Sequence, residues 1–166
     1  MFVKSIAAIA IVASFFVTPA ARASEIVVGA HVVSLHETSG IMRYDSNTGA
    51  LKETKLRSWT PGVYAKFGDS SGVTIGLYKN SIGRVSAYVG YTFEATLTDK
   101  VSAAVTAGII SGYDKHEYSV GDVSPLLAPS FSVALDNKTR LRTIIIPRAG
   151  EFNRVLTINF AIEFKR

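Results

Sequence analysis

With 166 residues and no cysteine, the chain has the length of one domain and excludes disulfide frameworks and thiolate metal sites. Its formal net charge of +5 is small and dispersed, with no dense Lys/Arg run, which excludes a nucleic-acid partner.

The N-terminal segment reads as an export signal. Lys4 supplies a positive start, Ile6 to Val17 form an apolar run of about a dozen residues, and Pro19 breaks it. Ala21-Arg22-Ala23 is the small-x-small pattern of a signal peptidase site, so residues 1–23 are expected to be removed after Ala23. The apolar run falls short of the roughly 20 residues of a spanning helix. Residues 24–166 then form one exported domain, held by burial and backbone hydrogen bonds alone.

From there onward the pattern has period two. The alternation predicts eight strands, over 25–36, 58–67, 72–81, 84–96, 101–112, 125–135, 139–146 and 154–165. In the last, Leu156, Ile158, Phe160, Ile162 and Phe164 share one face, against Thr157, Asn159, Ala161 and Glu163. Short turn-rich links (68–71, 98–100, 136–138) fall at every second junction. The intervening connections are a polar loop 37–57 expected to be mobile, a tight corner at 81–84, and loops at 113–124 and 147–153. This is the asymmetry of an all-β, eight-stranded antiparallel up-and-down transmembrane barrel in a bacterial outer membrane. Pro125 and Pro129 sit awkwardly in the sixth strand, and Arg140 and Arg142 in the seventh need the interior or the rim. A water-soluble barrel or sandwich alternates in the same way, and the closing aromatic, Phe164, lies two places before the end.

One constellation carries chemistry. Odd strands run outward, so His36 and Ser81 end the first and third strands at the same rim, two strands or about 10 Å apart between backbones. A histidine that takes the serine proton activates the hydroxyl, and it can equally deprotonate an acceptor hydroxyl. Asn80 is a candidate to polarise an ester carbonyl, and Lys79 and Arg84 are candidate substrate-binding residues, Arg84 for a phosphate. Lone rim residues are more often merely solvated. His31 lies about 17 Å deeper by strand rise and reads as interior packing or a structural hydrogen-bonder, and His116 as a loop residue. Three dispersed histidines with no carboxylate at ligand spacing predict neither metal nor other cofactor.

The stretch Gly76-Leu77-Tyr78-Lys79-Asn80-Ser81, followed by Tyr88-Val89-Gly90-Tyr91, resembles the outer-membrane lipid A palmitoyltransferase family of the PagP type. Ala107-Gly108 with Gly112-Tyr113, Pro125-Leu126-Leu127-Ala128-Pro129, Ile146-Pro147 and Ser34-Leu35-His36 are similar to further pieces of that family, in the same order. The resemblance implies transfer of an acyl chain from a phospholipid to lipid A, with the chain held inside the barrel and lipid admitted through gaps at the prolines. It also implies His36 as general base and Ser81 as catalytic hydroxyl. The family's acidic residue falls at Asn80, and no room is left for its N-terminal amphipathic helix. The expected partners are phospholipid, lipopolysaccharide (lipid A) and the outer membrane, with the protein a monomer. Small interior residues such as Gly76, Gly90 and Gly108 are expected to leave a slot for a chain. A non-enzymatic small barrel, structural, adhesive or lipid-binding, is the competing expectation, since fold does not fix function. A passive pore is disfavoured because eight strands enclose too little space for a channel.

Overall fold

A computed structural model describes residues 25–44, 49–113, 122–147 and 155–165. The signal segment 1–23 and His116 lie outside the described residues. Every regular element among them is a strand: β1 (Ile26–His36), β2 (Gly40–Tyr44), β3 (Leu51–Lys55), β4 (Trp59–Phe67), β5 (Gly72–Lys79), β6 (Val85–Thr96), β7 (Val101–Ser111), β8 (Val123–Ala134), β9 (Thr139–Ile146) and β10 (Thr157–Lys165). Eight of these close into one antiparallel barrel in the order β1-β10-β9-β8-β7-β6-β5-β4. The eight expected strands are all present, with ends within three residues of those read from the sequence. The polar loop between β1 and β4 differs from expectation, because β2 and β3 pair there as a hairpin from Gly40↔Lys55 to Tyr44↔Leu51. Five consecutive backbone pairs hold this segment, which sequence polarity alone had marked as loose.

The wall is inverted relative to a water-soluble barrel. Val63, Leu77, Val85, Phe93, Leu127 and Phe131 point outward and are exposed, while Thr60, Thr74, Ser86, Thr92, Ser130 and Asn159 point inward and are buried. Apolar-out and polar-in alternation suits a surround of hydrocarbon, where a closed ladder satisfies the backbone and the polar side chains face one another.

Two features shape the interior. At the end with the short turns, an ionic cluster forms a floor. Glu94 receives Lys66 at 3.0 Å, Arg140 at 2.8 Å and Arg142 at 2.8 Å. Arg142 Nε also reaches Glu163 at 2.6 Å, and the Tyr64 hydroxyl donates to the same Glu163 oxygen at 2.7 Å. Both arginines of β9 thus find carboxylates inside the barrel rather than the rim. The second feature is a set of glycine–tyrosine pairs between adjacent strands, Gly29↔Tyr64, Gly62↔Tyr78 and Gly76↔Tyr88. A Cβ on Gly29 or Gly76 would lie 2.1 Å or 2.5 Å from its partner's ring, so the rings lie flat on bare backbone along one wall. Gly76 therefore frees space by seating Tyr88 rather than by leaving its own position empty. The result is a cavity of about 740 Å³, lined on its opposite side by Ile110, Leu126, Ile144 and Ile146.

The ladder between β8 and β9 is incomplete. β8 pairs β7 along its whole length from Ser111↔Val123 to Val101↔Val133, but pairs β9 only from Ser130↔Ile144 onward. Pro125 and Pro129 both fall in the half of β8 that has one laddered neighbour, where a residue without an N–H is tolerated.

Candidate functional site

His36 faces the lumen because of a bulge. Period two would put His31 and His36, five residues apart, on opposite faces of β1. Against β10 the register slips between His31, opposite Ala161, and Val33, opposite Phe160, so Val32 is the extra residue on β1 and His31, Ser34 and His36 all turn inward; the register against β4 shifts at the same place. A polar ladder locks this geometry below His36. Ser34 Oγ and Thr60 Oγ1 lie 2.9 Å apart, and the Asn159 amide donates to both, at 3.0 and 3.2 Å. His31 Nδ1 meets Asn159 Oδ1 at 2.8 Å, and its Nε2 meets the Tyr88 hydroxyl at 3.0 Å. With both ring nitrogens engaged and the imidazole packed 5.0 Å from the Tyr64 ring centroid, His31 acts as an interior hydrogen-bonder.

At the rim, His36 Nε2 lies 2.6 Å from Ser81 Oγ. The distance from β1 to the end of β5 is bridged by inward-leaning side chains, at the level where Arg57 N–H meets the Ser81 carbonyl. Ser81 sits on a tight turn after β5. The Asn80 N–H donates to the Arg84 carbonyl at 2.8 Å, and the Gly83 N–H to the Asn80 carbonyl at 2.9 Å. His36 and Ser81 both line the mouth of the cavity, whose far end reaches Arg142 and Glu163. His36 pairs with Thr157, and Glu163 lies six residues further down β10. That separation is about 20 Å along the strand, or about 15 Å along a barrel axis tilted by about 40°.

The other expected site residues are placed differently. Asn80 is completely buried, and its side chain is committed to the turn. Its Nδ2 donates to Ser86 Oγ at 3.0 Å and to the Gly112 carbonyl at 2.9 Å, while Oδ1 accepts the Arg84 N–H at 2.9 Å. No amide proton is left to polarise a carbonyl, so Asn80 braces the serine instead. No carboxylate among the described residues bonds His36 Nδ1, leaving a dyad without a third member. Lys79 shares the outward face of β5 with Ile75 and Leu77 and points away from the lumen, and Arg84 is exposed with interactions of its own.

Arg57 was missed by the sequence reading, because nothing in its neighbours marks it. Its N–H donates to the Ser81 carbonyl at 2.8 Å, tying the start of β4 to the serine turn. Its guanidinium lies over Gly83, where an added Cβ would be 3.3 Å from Arg57 Cζ. Gly83 has φ +84°, so its conformation and its bareness both serve this contact.

No family model matches the chain, and no curated protein matches it. A solved structure from the de novo design of transmembrane β-barrels is similar, with a TM-score of 0.54 and 13% identity, covering 87% of this chain and 98% of that one. At that identity the likeness speaks for the fold alone. The chain therefore has the fold of a closed, eight-stranded antiparallel barrel of the kind designed to cross membranes.

Proposed function

We propose that the protein is an outer-membrane acyltransferase of the lipid A palmitoyltransferase type, moving a fatty acyl chain from a phospholipid to lipid A. The observation that carries this reading is the 2.6 Å contact between His36 Nε2 and Ser81 Oγ at the mouth of an interior cavity. Its volume of about 740 Å³ falls within the roughly 300–1,000 Å³ of small-molecule sites. At about 1.3 Å per methylene, from C–C bonds of about 1.5 Å, the path to the ionic floor takes about a dozen extended carbons. The half-laddered β8 supplies a lateral path for lipid, since unpaired backbone at membrane depth is tolerated where it lines a cavity.

In this reading Ser81 Oγ attacks the donor ester carbonyl as His36 Nε2 takes its proton. Collapse of the tetrahedral intermediate breaks the bond to the glycerol oxygen, which receives the proton from His36. An acceptor hydroxyl of lipid A, deprotonated by the same imidazole, then attacks the acyl-serine and returns the proton to Ser81. The protein works as a monomer in the outer membrane, exported by the segment removed after Ala23.

The test is to incubate the purified protein in detergent with acyl-labelled phospholipid and lipid A. Transfer that disappears in both Ser81→Ala and His36→Ala supports the reading; absent transfer, or transfer indifferent to both changes, rejects it. A second reading, a non-enzymatic barrel that binds lipid on the same scaffold, is favoured by the absence of a carboxylate on His36 Nδ1 among the described residues, because an imidazole without a carboxylate is less well oriented for base catalysis. Saturable phospholipid binding with no turnover at any pH would select it.

A further inference from the structure

We propose that Arg57 anchors the phosphate of a lipid headgroup beside Ser81, an inference that rests on the reading of this rim as a lipid site. Three observations converge on it. Arg57 is tethered to the serine turn, with its N–H on the Ser81 carbonyl at 2.8 Å. Its guanidinium is held against the bare backbone of Gly83, two residues from Ser81. It is exposed and makes no ion pair or side-chain hydrogen bond with any described residue, in contrast to Arg140 and Arg142, whose charges are spent inside the barrel.

A guanidinium whose donors meet no partner among the described residues presents a planar fork that fits two phosphate oxygens at once. In a glycerophospholipid the phosphate lies a few bonds from the ester carbonyls, and in lipid A phosphates flank the acylated sugars. A fork fixed next to the hydroxyl therefore sets which ester or which acceptor faces it. Lys79, likewise without an ion pair among the described residues but on the outward face, extends the positive rim toward the headgroup layer. Arg57 acts through the bound phosphate and touches no reacting atom, so it is a positioning residue.

The experiment titrates the full-length barrel in neutral maltoside micelles with dihexanoyl-phosphatidylglycerol and, in parallel, with phosphate-free dihexanoylglycerol. Amide resonances of Ser81 and Gly83 report occupancy without requiring turnover. The expected result is saturable binding of the phosphate lipid only, weakened about tenfold in Arg57→Ala, the lower end for a charged hydrogen bond at an exposed site, and only partly restored in Arg57→Lys, whose ammonium keeps the charge but not the fork. Lys100→Ala, at the opposite rim, leaves binding unchanged. A second arm uses a phosphorylated lipid A disaccharide headgroup: weakening of the phospholipid alone assigns Arg57 to the donor, of the disaccharide alone to the acceptor. Undiminished binding of both in Arg57→Ala, or equal binding of the phosphate-free lipid, overturns the proposal. Arg57-dependent binding without acyl transfer would instead sink the acyltransferase reading and leave this one standing.

Discussion

Removing the charge of Arg142 tests whether the ionic floor is a single coupled unit. Arg142 is buried and makes three short contacts, Nε to Glu163 at 2.6 Å, Nη2 to Glu94 at 2.8 Å and Nη1 to Ser130 at 2.9 Å. Glu94 keeps Lys66 and Arg140 when Arg142 is lost, but Glu163, only 1% exposed, has no other cation among the described residues. Its remaining partner is the Tyr64 hydroxyl. Arg142→Met conserves most of the volume and strands this carboxylate, and breaking a buried pair by removing one partner costs about 3–5 kcal/mol. Glu163→Gln alone is milder, because Arg142 retains Glu94 and Ser130. Combining the two removes the stranded charge and should recover about 2 kcal/mol of the Arg142→Met loss, a coupling typical of residues in one network. Urea titration in phospholipid vesicles, followed by the fluorescence of Trp59, reads both numbers. Trp59 is the single tryptophan and lies exposed on the outer wall, so the same signal reports transfer into lipid. A loss below about 1 kcal/mol in Arg142→Met, or a double variant no more stable than Arg142→Met, would refute the idea that Glu163 depends on this guanidinium.

Three more perturbations probe the wall and the rim. Asn80→Asp, which restores the acid expected from the family resemblance, should destabilise by about 1–3 kcal/mol without raising transfer, because a carboxylate has no proton for the Gly112 carbonyl; a faster enzyme in the standard transfer assay would show that Asn80 faces the substrate after all. Gly76→Ala places a methyl 2.5 Å from the Tyr88 ring, so the unfolding midpoint should fall by the equivalent of about 1–3 kcal/mol and acyl-chain binding should weaken as the ring swings into the lumen; unchanged chain affinity would contradict the seat assigned to Gly76. Asp136 accepts the N–H groups of Lys138 and Thr139, both at 2.8 Å, which hold its carboxyl below the ordinary value of 3.8. A depressed carboxyl contributes stability that is present above the unfolded value and lost as pH falls through the folded one, so the Asp136 carboxyl carbon should titrate with a midpoint below 3.8, and a midpoint at or above it would mean the turn is open.

The strands were legible because their signal is local. Val85, Ala87, Val89, Tyr91 and Phe93 alternate with inward residues regardless of what lies opposite, and each short turn carries its own residues. The hairpin of β2 and β3 was not legible, because Leu51–Lys55 offers polar residues on both faces and its pairing is with a segment just as plain. The surround was also out of reach from alternation alone, since a period of two says that two faces differ and not which one meets solvent. Resolving that needed the positions of Lys66, Glu94, Arg142 and Glu163, which alternate inward and consume one another's charge. A chain that hides its ionic groups in the lumen and exposes Val63, Leu77 and Phe93 has arranged its surface for hydrocarbon.

The pair at the rim shows where strand counting reaches a site and where it stops. Topology alone brings the ends of β1 and β5 to one rim, and it puts His31 far below. It does not say that His36 faces inward, for without the irregularity at Val32 either His31 or His36 would face lipid. The bulge is thus as much a part of the site as the imidazole, and the ladder of Ser34, Thr60 and Asn159 holds it in register. This gives a sharper account of Asn80. The turn needs a residue that donates twice and accepts once in full burial, which an amide does and an ionised carboxylate does not. With this position spent on bracing the serine and no carboxylate among the described residues on His36 Nδ1, the geometry of the rim rests on the short contact between His36 and Ser81.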